Sequence, residues 1–365
     1  MTRFASSLSR RALIGSAVAL GACPAALLAR SVEGGLIAGT YVNEGGPGLV
    51  PLLHGTEGWR TGAPVAAIRN ASFGVRGATG LRYLLDEQTE GRLGVYDPSL
   101  KRIADASTLG ADPCHAALSQ DGRRLAVANY SSGSVALFTL DRAGRLVGEA
   151  KRIAHEGSGP NRERQAGPHA HWVGFSGGGT QLHAVDLGAD AVFLHRIDAE
   201  GAIDTSIAYR TDPGAGPRHL ARHPRLPIAY LVTELANTVT VLRAHRDGRF
   251  SALSMLSTLP KGFTGASAGA HIAVNRGGTR LYISNRGHDS IAVFAIDGAG
   301  GLTPIQHAAC GGHWPRLFLL REDAGELLVA NERSGNIARL ALAKDGRLGP
   351  AAHGTDLPGV VFLSA

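Results

Sequence analysis

The chain has 365 residues, 44% of them hydrophobic, 18% charged and 5% aromatic, with fifty glycines. Such a composition excludes a disordered or fibrous chain and fits a compact protein with a large core and many tight turns. The formal charge is +7, but four arginines fall in residues 1–30 and leave +3 for the rest. That mild balance, without a basic run interleaved with aromatics, argues against nucleic acid.

Residues 1–30 contain four arginines and no acidic residue. Ser9-Arg10-Arg11-Ala12-Leu13-Ile14 has the paired arginines of a twin-arginine export signal, and the apolar run from Ala12 to Ala22 is too short to span a bilayer. The segment therefore predicts export to the periplasm. Leu20-Gly21-Ala22-Cys23 has the form of a lipobox, in which Cys23 would be lipidated; Pro24 weighs against it, and cleavage near Ala29 is the alternative. A membrane attachment is expected only through such an anchor.

From residue 34 to 365 one pattern recurs: a turn, a strand, a polar hairpin, a strand ending in a polar residue, a loop with Ser or Asn, and another strand. In Gly214–Leu242 the strands are Arg218-His219-Leu220, Ile228 to Thr233 and Thr238 to Leu242. The same order recurs from Asp112, Gly167, Ala266 and His313, with weaker copies at Gly34–Val42 and Arg82–Glu87. With Thr40, Asp86, Asn129, Asp186, Glu234, Asn285 and Asn331 as anchors, successive copies lie 46, 43, 57, 48, 51 and 46 residues apart. Short Val-, Ile- and Thr-rich strands at that period predict an all-β fold, a seven-bladed β-propeller of four-stranded antiparallel blades forming one domain over 34–365.

The spacing of 57 comes from residues 151–167 (KRIAHEGSGPNRERQAG), a Gly-rich charged stretch that predicts a long loop at one rim: a lid over the mouth, or a plain solvated insertion. Cys114 and Cys310, placed in equivalent turns of distant repeats, are expected to be free. No pair of the fifteen histidines has helix-borne metal-site spacing with a carboxylate, so neither a metal nor another cofactor is predicted.

Equivalent loops of a propeller converge on one end of its channel, so residues at matching points of different repeats meet in space. The polar residues at such points include His115, His169, His171, Arg218, His219, Glu234, Arg286, His288 and Arg316, with Asn129, Asp186, Asn285 and Asn331 at strand ends. The stretches GPHAHWVGFS, VDLGAD, GAGPRHLARHP, VTELANTVTVL, YISNRGHDSIAVF and LLVANERSGNI closely resemble the motifs of the lactonase-type seven-bladed propellers, which include 6-phosphogluconolactonases and carboxy-muconate cyclases. The resemblance runs from about Gly39 to the end, and implies a site built from His169, Arg218, Glu234 and Arg286. Trp314-Pro315-Arg316-Leu317-Phe318 departs from it by lacking the histidine often found in the last blade, and the opening blade matches loosely.

The chemistry of those side chains agrees. Opening a lactone needs a base for water and a cation or donor for the oxygen that becomes negative. Glu234 or His169 can be the base, Arg218 and Arg286 can hold an anion or the oxyanion, and two arginines beside Glu234 would keep it ionised. No serine nucleophile elbow is visible, which favours direct attack by water. His171, His219, Asn285 and Arg316 are the further substrate-binding candidates, although the recurrence of Asn129, Asn285 and Asn331 at one place favours a structural cap.

The expected activity is hydrolysis of an anionic or sugar lactone by a monomer, 6-phosphogluconolactonase-like in type. Export argues for an unphosphorylated aldonolactone or an organic-acid lactone. A muconate cyclase, or a non-catalytic cell-envelope propeller presenting its loops to a ligand or protein, are the alternatives; the fold alone does not separate them.

Overall fold

The computed structural model describes residues 35–55, 58–65 and 68–365; the expected export signal and Cys23 lie outside them. The described strands form seven four-stranded antiparallel sheets, as the repeats predict. Blades 2 to 7 are meanders whose innermost strands are Ala71–Arg76, Pro113–Leu118, Ala170–Ser176, Pro217–Arg222, Ala268–Val274 and Pro315–Arg321. Blade 1 joins the two ends of the chain: Val360–Ser364 lies innermost and pairs with Leu36–Thr40, followed by Leu49–Gly55 and Gly58–Thr61. That pairing completes blade 1 from both ends of the described chain and closes the ring.

Burial explains the residue choice along each blade. The second strand of blade 5, Ile228–Thr233, is buried at every position, while the outermost strand, Phe250–Ser257, is mostly exposed. The apolar clusters sit between blades: Tyr230, Val232 and Val241 of blade 5 pack with Ile272, Ile283 and Phe294 of blade 6. Second-strand aromatics also latch onto the next blade, with Tyr230 Oη donating to Gly300 O at 3.0 Å, Tyr282 Oη to Gly346 O at 2.8 Å, and His183 Nε2 to Gly248 O at 2.7 Å.

The strand-end anchors are architectural. Asn129, Asn285 and Asn331 use their amides to hold Thr108 O at 2.8 Å, Thr258 O at 2.9 Å and Cys310 O at 3.2 Å, tying each second strand to the end of the preceding blade. Asn285, a substrate-binding candidate from the sequence, thus serves the blade link through its amide nitrogen and is not among the cavity-lining residues. Blade 4 makes the same link with the partners exchanged: Asp186 Oδ2 takes His155 Nδ1 at 2.7 Å, both side chains fully buried. Within this frame the true anchor of blade 5 is Thr233; Glu234 lies one residue beyond, at the position that Arg286 holds in blade 6.

Candidate active site

Two backbone positions per blade build the site. Where the innermost strand pairs with the second, the register slips by one residue: between Pro113 and His115, Ala170 and Trp172, Pro217 and His219, and Pro315 and Leu317. The extra residue of such a bulge is re-aimed out of the ladder. Here it is Cys114, His171, Arg218 and Arg316. The second position is the residue after the strand-end anchor: Tyr41, Glu87, Tyr130, Glu234, Arg286 and Glu332. Most of these side chains line one cavity of about 850 Å³ at the end of the channel.

The next residue along each innermost strand fills the channel. His115, Trp172, His219 and His271 meet Phe73 there, with Phe73 stacked on His115 at 4.2 Å and His115 against His219 at 5.3 Å. His115 and His219 belong to blades 3 and 5, so their contact joins two blades that are not neighbours. Burial, then neighbouring cations, pushes His171 and His219 well below the ordinary imidazole value, and burial together with Arg218 takes His271 to about 3. All three are neutral at pH 7.

At the cavity floor Glu234 is 3% exposed and meets three guanidiniums. Its Oε2 accepts from Arg218 Nε at 3.0 Å and pairs with Arg286 Nη2 at 2.7 Å; its Oε1 accepts from Arg164 Nη2 at 2.6 Å. Burial alone would raise the carboxyl, but the guanidiniums of Arg286, Arg218 and Arg164 outweigh it and hold Glu234 well below the usual carboxylate range. Burial and the facing Arg286 push Arg218 down to about 9, which leaves it a cation at neutral pH. Arg218 Nη1 also donates to His219 Nε2 at 3.3 Å, so His219 supports Arg218 from the channel and does not border the cavity. Arg286 Nη2 is shared with Gly269 O at 3.1 Å, and its Nε finds no acceptor among the described residues.

Arg164 was not anticipated. It comes from the long loop, which begins later than its composition suggests, because residues 151–154 still belong to the strand Leu146–Ala154. Both ends of the loop converge on Asp186, which takes His155 Nδ1 on Oδ2 and the His169 backbone N–H at 2.7 Å on Oδ1. Gln165, fully buried, donates to Leu187 O at 2.9 Å and accepts from nothing but its own loop. Gly188 lies so close to Gly167 O that a Cβ would not fit. These ties hold Arg164 over Glu234, where it also donates to Tyr130 Oη at 3.2 Å.

His169 and His171 sit differently from what the motif suggests. His169 is half-buried, stacked on the Tyr130 ring at 4.5 Å with its Nδ1 3.0 Å from Tyr130 O, and it is not among the cavity-lining residues. His171 is, at the position equivalent to Arg218. Aligning G-P-H with G-P-R places His169 at that point, but the pairing of Ala170 with Asp186 matches that of Pro217 with Thr233, which moves the equivalence two residues on, to His171. Arg316 borders the opposite side, where its Nη2 donates to Tyr41 Oη at 2.7 Å. Cys114 lies in a bulge and Cys310 follows an outer strand, so they are not equivalent; both are free and buried. Among the described residues no cluster of His, Cys, Asp or Glu has the arrangement of a metal site.

Residues 38–364 match the family model described as lactonase, 7-bladed beta-propeller. A 6-phosphogluconolactonase of Bacillus subtilis is 33% identical over 322 residues, covering 85% of this chain and 92% of that one. Among solved structures, a periplasmic gluconolactonase of Pseudomonas aeruginosa superposes with a TM-score of 0.83 at 29% identity, over 90% of this chain and 98% of its own. A Lactobacillus plantarum protein also reaches a TM-score of 0.83, at 26% identity over 90% and 98% of the two chains. With its seven closed blades and this match over nearly the whole described chain, the protein belongs to the lactonase family of seven-bladed β-propellers.

Proposed function

We propose that the chain hydrolyses a sugar lactone by direct attack of water at the Glu234 cluster. The observation that carries this is one buried carboxylate held by three guanidiniums at the floor of an open cavity. A group so placed is a costly way to stabilise a fold, because each buried ion loses its hydration. It is a sensible way to have both an acceptor and fixed positive charge ready where a carbonyl reacts.

In this reading the carbonyl oxygen of the lactone takes hydrogen bonds from Arg164 and Arg286. As these turn from Glu234 towards the substrate, Glu234 regains a lone pair and some basicity, and accepts a proton from the attacking water. The oxygen of that water bonds to the carbonyl carbon, the negative charge on the carbonyl oxygen meets the guanidiniums, and the ring C–O bond then breaks. The ring oxygen leaves with the proton that Glu234 held, giving an open-chain hydroxy acid. Glu234 releases this proton readily because the cations disfavour its neutral form. Arg218, buried and braced by His219, orients the carboxylate. His171 borders the reaction space as a neutral donor or acceptor, and His169 with Tyr130 holds Arg164.

Location follows the same reasoning. The arginine pair and apolar run near the N-terminus, together with a relative described as periplasmic, support export of this chain to the periplasm.

A panel of lactones tests the reading: δ-gluconolactone, its 6-phosphate and a carboxy-muconolactone, with purified protein and with Arg218→Ala. Enzymatic opening above the spontaneous rate, lost in a folded variant, is expected for a sugar lactone. Turnover of the muconolactone alone would make the chain a cyclase-type enzyme, and turnover of none would leave a binding propeller.

A further inference from the structure

Blade 7 repeats the arginine–glutamate pair of blade 5. Arg316 and Glu332 occupy the same bulge and post-anchor positions as Arg218 and Glu234, at the same separation in sequence. Their surroundings differ. Arg316 Nη2 donates to Tyr41 Oη at 2.7 Å, and Tyr41 in turn donates to Glu87 Oε2 at 2.9 Å. Burial pushes the Tyr41 phenol well above its ordinary value, so it stays protonated. Glu332 Oε2 is 3.6 Å from Arg316 Nη1, within ion-pair reach but without a hydrogen bond to any described group, although the side chain is only 10% exposed. Glu44 leans on the same carboxylate; its own carboxyl is raised, first by burial and then by the charge of Glu332.

The cavity thus has two unlike ends, and its overall balance is negative. Five of its lining residues are acidic (Glu44, Glu87, Glu90, Asp112 and Glu234) against three arginines, each already facing a carboxylate. Glu90 and Asp112 have no cationic partner among the described residues.

We propose that the Arg316–Glu87–Tyr41 cluster, with the buried charge of Glu332 beside Arg316, is a second subsite, which binds the hydroxyl-bearing tail of the lactone and selects an uncharged sugar lactone over its phosphate ester. The inference rests on the lactone-hydrolase reading. A sugar hydroxyl both donates and accepts, so it can donate to the Glu87 carboxylate, which lines the cavity, while taking a hydrogen bond from Arg316. A phosphate brings about −1.5 to −2 charges and mainly acceptor oxygens, and so meets carboxylates that repel it and offer it nothing. The same repulsion acts on a polycarboxylate such as a muconolactone.

The test is the ratio of kcat/KM for δ-gluconolactone and its 6-phosphate at low ionic strength, with δ-valerolactone as a lactone that has no hydroxylated tail. The wild-type protein is expected to prefer the uncharged sugar lactone at least about tenfold, and salt to narrow the gap by screening the phosphate's repulsion. Glu332→Gln and Glu87→Gln should shrink the preference, and Tyr41→Phe should lower kcat/KM for gluconolactone several-fold more than for valerolactone. Equal or faster hydrolysis of the phosphate by the wild-type protein would overturn the subsite, whatever the variants do. So would variants that affect gluconolactone and valerolactone alike. Absence of turnover on every lactone would instead strike the hydrolase reading, and the subsite with it.

Discussion

Blades 5 and 7 carry the same two side chains at the same two backbone positions, yet the pairs differ in state. Glu234 has three guanidinium contacts, the longest 3.0 Å, whereas Glu332 has a single arginine at 3.6 Å and a second carboxyl beside it. The difference comes from the neighbours. Blade 6 puts Arg286 at the post-anchor position next to Glu234, and the blade 4 loop adds Arg164; on the other side blade 1 contributes Tyr41 and blade 2 Glu87. A repeat fixes where a side chain points, and the adjoining blades decide what it can do.

The largest effect that would break this comparison concerns Glu234 itself. Glu234→Gln is expected to lower kcat by roughly 10²–10⁴-fold, the usual range for a general base, whereas Glu332→Gln should act mainly on KM. Arg218→Ala leaves a buried carboxylate with two cations where it had three and should cost about 3 kcal/mol in denaturant unfolding. Arg164→Ala should cost roughly 10²-fold in kcat, as for loss of an oxyanion donor, with little change in melting temperature because its side chain is 39% exposed. A large fall in stability with intact turnover would make Arg164 a structural residue.

The histidines sharpen the comparison further. His171→Ala should reduce kcat/KM more than His169→Ala, since only the former borders the cavity. Equal losses would return His169 to the reacting atoms. The buried histidines of the innermost strands also predict a pH effect on folding. His171, His219 and His271 have folded-state values below 6.5, so the unfolded chain binds their protons first and stability falls as the pH drops below about 6.5, by about 1.4 kcal/mol per group per pH unit. Melting temperatures should therefore decline between pH 6.5 and 5, before ordinary carboxylates titrate. Glu234 adds its own loss only further down, below the ordinary 4.5, since its folded value is depressed. A flat profile from pH 7 to 5 would contradict the buried neutral histidines.

Much of this was legible in the sequence. The seven spaced strand ends predicted the blade count, and Asn129, Asn285 and Asn331 recur among them because an amide at that point ties one blade to the last. Arg218, Glu234 and Arg286 stood out as the polar residues that the repeat did not explain. Two features were hidden for physical reasons. The innermost strand of blade 4 begins at Ala170, two residues after Pro168, whereas that of blade 5 begins at Pro217 itself, so a motif aligned on its Gly-Pro put His169 where His171 lies. Arg164 belongs to no repeat: its place depends on Asp186 and Gln165 fastening an irregular loop, and only the loop's length and charge hinted at a role. Cys114 was visible as a residue but not as a bulge, since register slips leave no mark in composition.

The most direct test of the central claim is the rate of δ-gluconolactone opening by the wild-type protein and by Glu234→Gln, corrected for spontaneous hydrolysis and with matched melting curves. Rapid opening by the wild type and near-background opening by a folded variant is the predicted result. Equal rates in the two proteins would show that the carboxylate among the three arginines is not where the lactone is opened.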